Sequence, residues 1–144
     1  MSAAHLGQWA RERFPLANGV FFALLYVLTL VVGRSVRPGP ITLSVRDLPG
    51  LVALWLFFLW LRILDEHKDF DNDRIAHPDR VLQRGLVTLG DLRLIGAAAL
   101  VIQLGISLWI DGGVGPVTGW WLLSLIWSLL MAEEFFVRGW LRRQ

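Results

Sequence analysis

Residues 51–61 read LVALWLFFLWL, and among these eleven side chains none carries a charge, an amide or a hydroxyl. A helix through this stretch is apolar all round, as in a membrane span or the core of a large protein. A soluble bundle would need a polar face on each helix. Three further runs behave in the same way, so residues 16–32, 48–64, 92–110 and 116–131 form four apolar segments. Residues 96–108 hold only Gln103 and Ser107 as polar side chains. Each run has 16 to 19 residues. As a helix, each is about 24–29 Å long, close to the ~30 Å of a hydrocarbon layer. The whole chain is 144 residues, 55% hydrophobic, with a mean hydropathy of +0.53. That is too apolar for an ordinary soluble domain. The expected fold is all-α: one integral membrane bundle of about four transmembrane helices over residues 1–144.

Local signals set the expected boundaries. Asp47 is placed to cap the second span, with Pro49 in its first turn. Thr88 and Asp91 have capping-box spacing before the third span. Gly112, Gly113 and Gly115 precede Pro116, which predicts a tight antiparallel hairpin of spans three and four. Pro38, Gly39 and Pro40 break the first connection. No small-residue cleavage site follows the first run, so that span is expected to be retained.

The charges point to an orientation. Four spans put both termini and the connection at 65–91 on one side. That side carries Arg11, Arg13, Arg62, Lys68, Arg74, Arg80, Arg84, Arg93, Arg138, Arg142 and Arg143; the other carries Arg34, Arg37 and Arg46. The excess of basic residues assigns the first side to the cytoplasm. The expected location is a bacterial inner membrane, crossed several times. Trp109, Trp120 and Trp121 are expected near the outer interface, Trp9 and Trp140 near the cytoplasmic one. The lipid bilayer is the first partner. Nucleic acid is not expected, because the net charge is only +2 and the basic residues are scattered. With no cysteine, disulfides and thiolate metal sites are excluded.

Chemistry concentrates in the cytoplasmic connection. Residues 65–79 hold Asp65, Glu66, Asp69, Asp71, Asp73 and Asp79, half of the twelve acidic residues. Asp65, Asp69 and Asp73 recur every fourth residue, so they share a face if the second helix runs on past Leu64. Glu66 is expected to fall away from the face of Asp73. Carboxylates on one face repel unless a cation lies among them, and Mg²⁺ takes such oxygen ligands together with substrate phosphates. Lys68, Arg74, Arg80 and Arg84 lie among or just after the acids. Arginine forks suit phosphate oxygens. Pro78 ends the helix, leaving the later arginines on a loop able to fold back. The rival reading is a solvated, mixed-charge connection. His67 and His77 are expected to be ordinary loop residues, Glu133 and Glu134 to be interfacial. Arg62, inside an apolar run, is expected to snorkel or to pair with Asp65 or Glu66.

These residues resemble the UbiA-type intramembrane prenyltransferases. The signature of that family, Asn-Asp-x-x-Asp-x-x-x-Asp at the end of its second helix, is similar to Asp65-Glu66-His67-Lys68-Asp69-Phe70-Asp71-Asn72-Asp73. Asp69 and Asp73 match, while Asp65 and Glu66 stand where Asn and Asp are usual. The family's Arg-Pro-Leu-x-x-Gly stretch is similar to Arg80-Val81-Leu82-Gln83-Arg84-Gly85, with Val81 in place of proline. The resemblance implies Mg²⁺ held by Asp65, Glu66, Asp69 and Asp73. It implies an isoprenyl diphosphate donor neutralised by Lys68, Arg74, Arg80 and Arg84. The allylic C–O bond would break, diphosphate would leave with the electron pair, and a nucleophilic acceptor would attack the cation.

The resemblance covers only the first half of such a protein. Family members are about twice as long and carry a second aspartate motif. After Asp91 the acids here are Asp111, Glu133 and Glu134. The chain is therefore expected to be the N-terminal half of a prenyltransferase, either truncated or completed by another chain, a second half-size chain or a further copy in a homo-oligomer. The alternative is a catalytically silent membrane protein that binds an isoprenoid or a partner chain. CDP-alcohol phosphotransferases fit less well, because the Asp-Gly and Ala-Arg pairs of their pattern are missing near 65–73. A channel is disfavoured because Arg62 is the only ionisable residue deep in an apolar run.

Overall fold

The computed structural model describes residues 2–136, apart from the side chains of Leu16 and of residues 133–136. The expectations for Trp140, Arg138, Arg142, Arg143, and the Glu133 and Glu134 side chains lie outside what is described. Five α-helices follow one another: α1 (Ala3–Arg13), α2 (Leu16–Ser35), α3 (Leu48–Ala76), α4 (Leu89–Asp111) and α5 (Pro116–Phe136). One 3-10 turn (Val45–Asp47) precedes α3, and no strand occurs among the described residues. Ala17–Ser35, Val45–Ala76 and Leu89–Asp111 are long and apolar enough to cross a membrane, and Pro116–Ala132 is a shorter apolar helix.

The α1 helix is an element that the apolar pattern did not announce. Ser2 caps it by accepting from the His5 amide. It ends where Pro15 forbids continuation, and Pro15 opens α2. Phe14, at this corner, is buried between Phe22 and Trp55, with ring centroids 5.9 and 5.6 Å away. Phe22 in turn stacks flat on Phe58 at 4.0 Å, which joins α2 to α3.

The start of α3 differs from the expectation. Asp47 makes no side-chain cap on α3; its carboxylate reaches back to the Ser44 amide at 2.8 Å, within a capping box around the 3-10 turn. Arg34 pairs with that carboxylate at 2.5 Å and also donates to the Thr42 carbonyl, so the connection is clipped to the end of α2. The Tyr26 hydroxyl donates to the Asp47 carbonyl at 2.7 Å. Gly50 lets the Tyr26 ring approach; a Cβ there would overlap it. Elsewhere the expectations hold. Thr88 and Asp91 form a capping box, Gly112 terminates α4 at a φ of +68°, and α5 begins at Pro116. Hydrogen bonds pair Asp111 with Thr118 and Gln103 with Trp121, so α4 and α5 run antiparallel.

The connection at 65–91 is not a loop throughout. With 29 residues, α3 measures about 43 Å, roughly 13 Å more than a hydrocarbon layer. Its last three turns carry the acids beyond the apolar part. Internal pairs favour that extension: Arg62 meets Glu66 at 2.8 Å and Asp65 at 3.9 Å, and Lys68 meets Asp65 at 4.0 Å. The helix stops at Ala76, with His77 out of helical geometry before Pro78. The loop at 77–88 then folds inward and buries Val81, Leu82 and Val87 against Trp9, Ile63 and Leu92. Trp9, expected near the cytoplasmic interface, is only 2% exposed, because α1 lies over this core.

Candidate functional site at the polar end of α3

Three segments meet around the extension of α3. Arg13, the last residue of α1, donates from Nε to Glu66 Oε1 at 2.5 Å and from Nη2 to Asp73 Oδ2 at 2.9 Å. Arg80, on the inward loop, donates to the same Asp73 oxygen at 2.7 Å. Arg62, one turn before Glu66, donates to Glu66 Oε1 from Nε and Nη2 at 3.0 and 2.8 Å. Two carboxylates thus hold three guanidiniums. Glu12 adds a second tie, accepting from the Val81 amide at 3.2 Å.

This geometry corrects the expectation for Glu66. Seven residues are almost two full turns, so Glu66 and Asp73 lie on one face, and Arg13 spans both. Glu66 is only 2% exposed, so its charge is compensated by direct ion pairs rather than by water. Asp65 is half exposed and has only long ion-pair contacts among the described residues, 3.9 Å to Arg62 and 4.0 Å to Lys68. Asp69 lies between these groups on the helix and makes no ion pair among the described residues. The four carboxylates of the expected set are therefore divided. Glu66 and Asp73 face inward onto arginines; Asp65 and Asp69 are the outer pair. Among the described residues, no three His, Asp or Glu side chains gather closely enough to hold one metal ion. Of the remaining basic residues, Arg74 and Arg84 are exposed.

An apolar cleft opens beside the outer pair. Its volume is about 700 Å³, and α3 and α5 line it with Phe57, Leu61, Leu64, Trp120, Leu123, Trp127 and Met131. Asp65 and Lys68 form its polar end, and Ser124 and Ser128 stand on the α5 wall. Ligand pockets of about 300–1,000 Å³ with few polar groups suit largely apolar molecules carrying one polar end.

Several contributors gave no usable signal in the sequence. Arg13 is 53 residues from Glu66, and nothing local marks it as a partner. His67 is on α3, not in a loop, and engages Ile63 and Arg93. Gln83 buries both its amide nitrogen and its amide oxygen without a hydrogen-bond partner among the described residues. It lies inside the Arg80–Gly85 stretch that carries the family resemblance, at a position that the Arg-Pro-Leu-x-x-Gly pattern leaves open.

Comparisons with protein-family models, with curated proteins and with solved structures returned no match. The class that the described residues define is an all-helical protein with three helices able to cross a membrane and a shorter apolar fourth.

Proposed function

We propose that this chain is a four-span membrane protein that binds an isoprenyl diphosphate, as one half of a UbiA-type prenyltransferase. The carrying observation is the α3–α5 cleft: an apolar slot of about 700 Å³ that ends at Asp65 and Lys68, one turn from Asp69. The isoprenoid tail would lie along Phe57, Leu61, Trp120 and Leu123. Aromatic rings near the reacting carbon favour an allylic cation through their π faces. The excess of basic residues at the acid-bearing end favours a cytoplasmic position for it.

The two outer carboxylates fit a Mg²⁺ ion. They are oxygen ligands, they lack strong guanidinium partners, and Mg²⁺ commonly uses one or two carboxylates and completes its shell with water and phosphate. Asp65 and Asp69 would hold it; it would neutralise charge on the departing diphosphate. The inner pair suits another task. Glu66 and Asp73 hold Arg13, Arg62 and Arg80 on the same extension of α3, and their guanidinium forks would turn to phosphate oxygens. Lys68 adds charge at the mouth of the cleft. A second acid-bearing wall, from a second copy or another chain, would complete the site for transfer.

The test is equilibrium binding of farnesyl and geranylgeranyl diphosphate to the purified protein, with Mg²⁺ and with EDTA. Asp65→Ala combined with Asp69→Ala is expected to weaken Mg²⁺-dependent binding by at least about tenfold, the loss of ~1.4 kcal/mol. Unchanged binding in that variant sinks the proposal. The silent-binder reading is favoured by the saturation of Glu66 and Asp73 with arginines. It gains if the wild-type protein binds the diphosphate but turns over no acceptor under any pairing.

A further inference from the structure

A second groove lies on the neighbouring flank of α3, against α4. It encloses about 440 Å³ between Trp60, Leu64, Ala97 and Leu100, and its polar end is formed by His67 and Arg93. These two side chains are linked in a defined order. Arg93 donates from Nε to His67 Nε2 at 3.1 Å, and His67 Nδ1 lies 2.8 Å from the Ile63 carbonyl. A guanidinium has no acceptor, so Nε2 must accept, and the imidazole proton must sit on Nδ1 and point at Ile63. The neutral ring is therefore a strut. It ties the Arg93 Nε and leaves both terminal nitrogens of the guanidinium without a partner among the described residues. The nearby Asp91 carboxylate does not neutralise it, being held by Thr88 in the α4 cap.

We propose that this groove binds an anionic phospholipid, the phosphate on the Arg93 fork and one acyl chain along Ala97 and Leu100. A guanidinium held at Nε presents two parallel N–H donors, the arrangement that matches phosphate oxygens in pairs. From Arg93 to Leu100 is two helical turns, about 10 Å, enough to seat the upper part of an acyl chain as it runs from the headgroup level into one leaflet's ~15 Å of hydrocarbon. A free phosphate would leave the apolar groove empty, and a zwitterionic lipid brings its own cation to compete with Arg93. The proposal rests on the membrane reading above but not on prenyl transfer.

The experiment is native mass spectrometry of the full chain released from detergent, titrated with phosphatidylglycerol or phosphatidylcholine. Wild type is expected to retain one phosphatidylglycerol in preference to phosphatidylcholine. Arg93→Gln is expected to weaken phosphatidylglycerol by about tenfold, the worth of one charge-assisted fork, and to leave phosphatidylcholine unchanged. Arg93→Lys keeps the charge but not the fork, and is also expected to lose several-fold. His67→Phe keeps a ring of similar size, removes the strut, and is expected to fall between Arg93→Lys and wild type. Wild-type affinity in both Arg93 variants would overturn the proposal. An equal loss in Arg11→Gln, an exposed arginine on the same side with no part in either groove, would overturn it too, since that result signals diffuse charge. Competition by millimolar inorganic phosphate would reassign the site to a free anion. A wild-type protein that stays dispersed without detergent would defeat the membrane reading itself, whereas a detergent-requiring protein with no lipid preference defeats only this site.

Discussion

Around Ile63, apolar side chains pack on apolar side chains. Trp9, Val81, Leu82, Val87 and Leu92 close over it, drawn from α1, the 77–88 loop and the start of α4. Along the middle of α4 the arrangement is inverted. The buried positions there are Gly96, Ala99, Gln103 and Ser107, while Val101, Ile102 and Trp109 point outward. Gln103 accepts from the Trp121 indole, and on the neighbouring interface the Trp60 indole donates to Ser128. The first region is built as water demands, with apolar area removed from solvent. The second is built as lipid demands: small residues allow close approach, and inter-helix hydrogen bonds act as the glue. The ionic cluster of Arg13, Arg62, Arg80, Glu66 and Asp73 sits at the polar end, beside the water-type core. There it fastens α1 and the loop to α3.

The contrast can be broken most forcefully at Glu66. In Glu66→Ala, Arg13 and Arg62 lose their shared carboxylate near a buried core. The expected cost is about 3–5 kcal/mol. Limited proteolysis in detergent should then cut within residues 3–13, while the helical signal of the apolar segments persists. Equal protection of α1 in the variant and in wild type would mean that the cluster does not hold the polar end together. The next effect has the opposite sign. Gln83→Leu replaces two unpartnered buried polar atoms by apolar ones, and thermal unfolding should show a gain of about 1–3 kcal/mol. If Gln83 contacts the diphosphate donor, the same variant will be more stable yet bind the donor less well; unchanged binding assigns Gln83 no part in recognition. The smallest effect is expected in the apolar part. Gln103→Leu removes the bond to Trp121, and inter-helix hydrogen bonds in membranes average about 0.6 kcal/mol, with a maximum near 1.7. A loss above about 3 kcal/mol in a detergent unfolding titration would show that this region is organised like a soluble core after all.

How legible each part was follows from the range of the interactions. The apolar runs, the Thr88–Asp91 cap, the glycine turn and Pro116 were readable because their causes lie within a few residues. The face shared by Asp65, Asp69 and Asp73 was readable as soon as the helix was allowed to run on. The Glu66–Asp73 face was equally local, since seven residues nearly close two turns, but its significance appeared only with Arg13. The α1 helix escaped because its burial is carried mainly by one tryptophan and no apolar stripe announces it. Trp9 could be an interfacial anchor or a core residue with the same neighbours in sequence.

What the chain determines locally is therefore the set of apolar helices, their caps and turns, and the run of acids on the end of α3. Those follow from side-chain hydropathy, helical period and backbone constraint, each acting over a turn or two. The tertiary structure decided how the carboxylates divide. Glu66 and Asp73 turn to arginines that approach from residues 13 and 80, and Asp65 and Asp69 stay on the outer side, with Asp65 at the end of the α3–α5 cleft. That division depends on which helices meet around α3. Distance along the chain does not encode it, because an ion pair is set by separation in space.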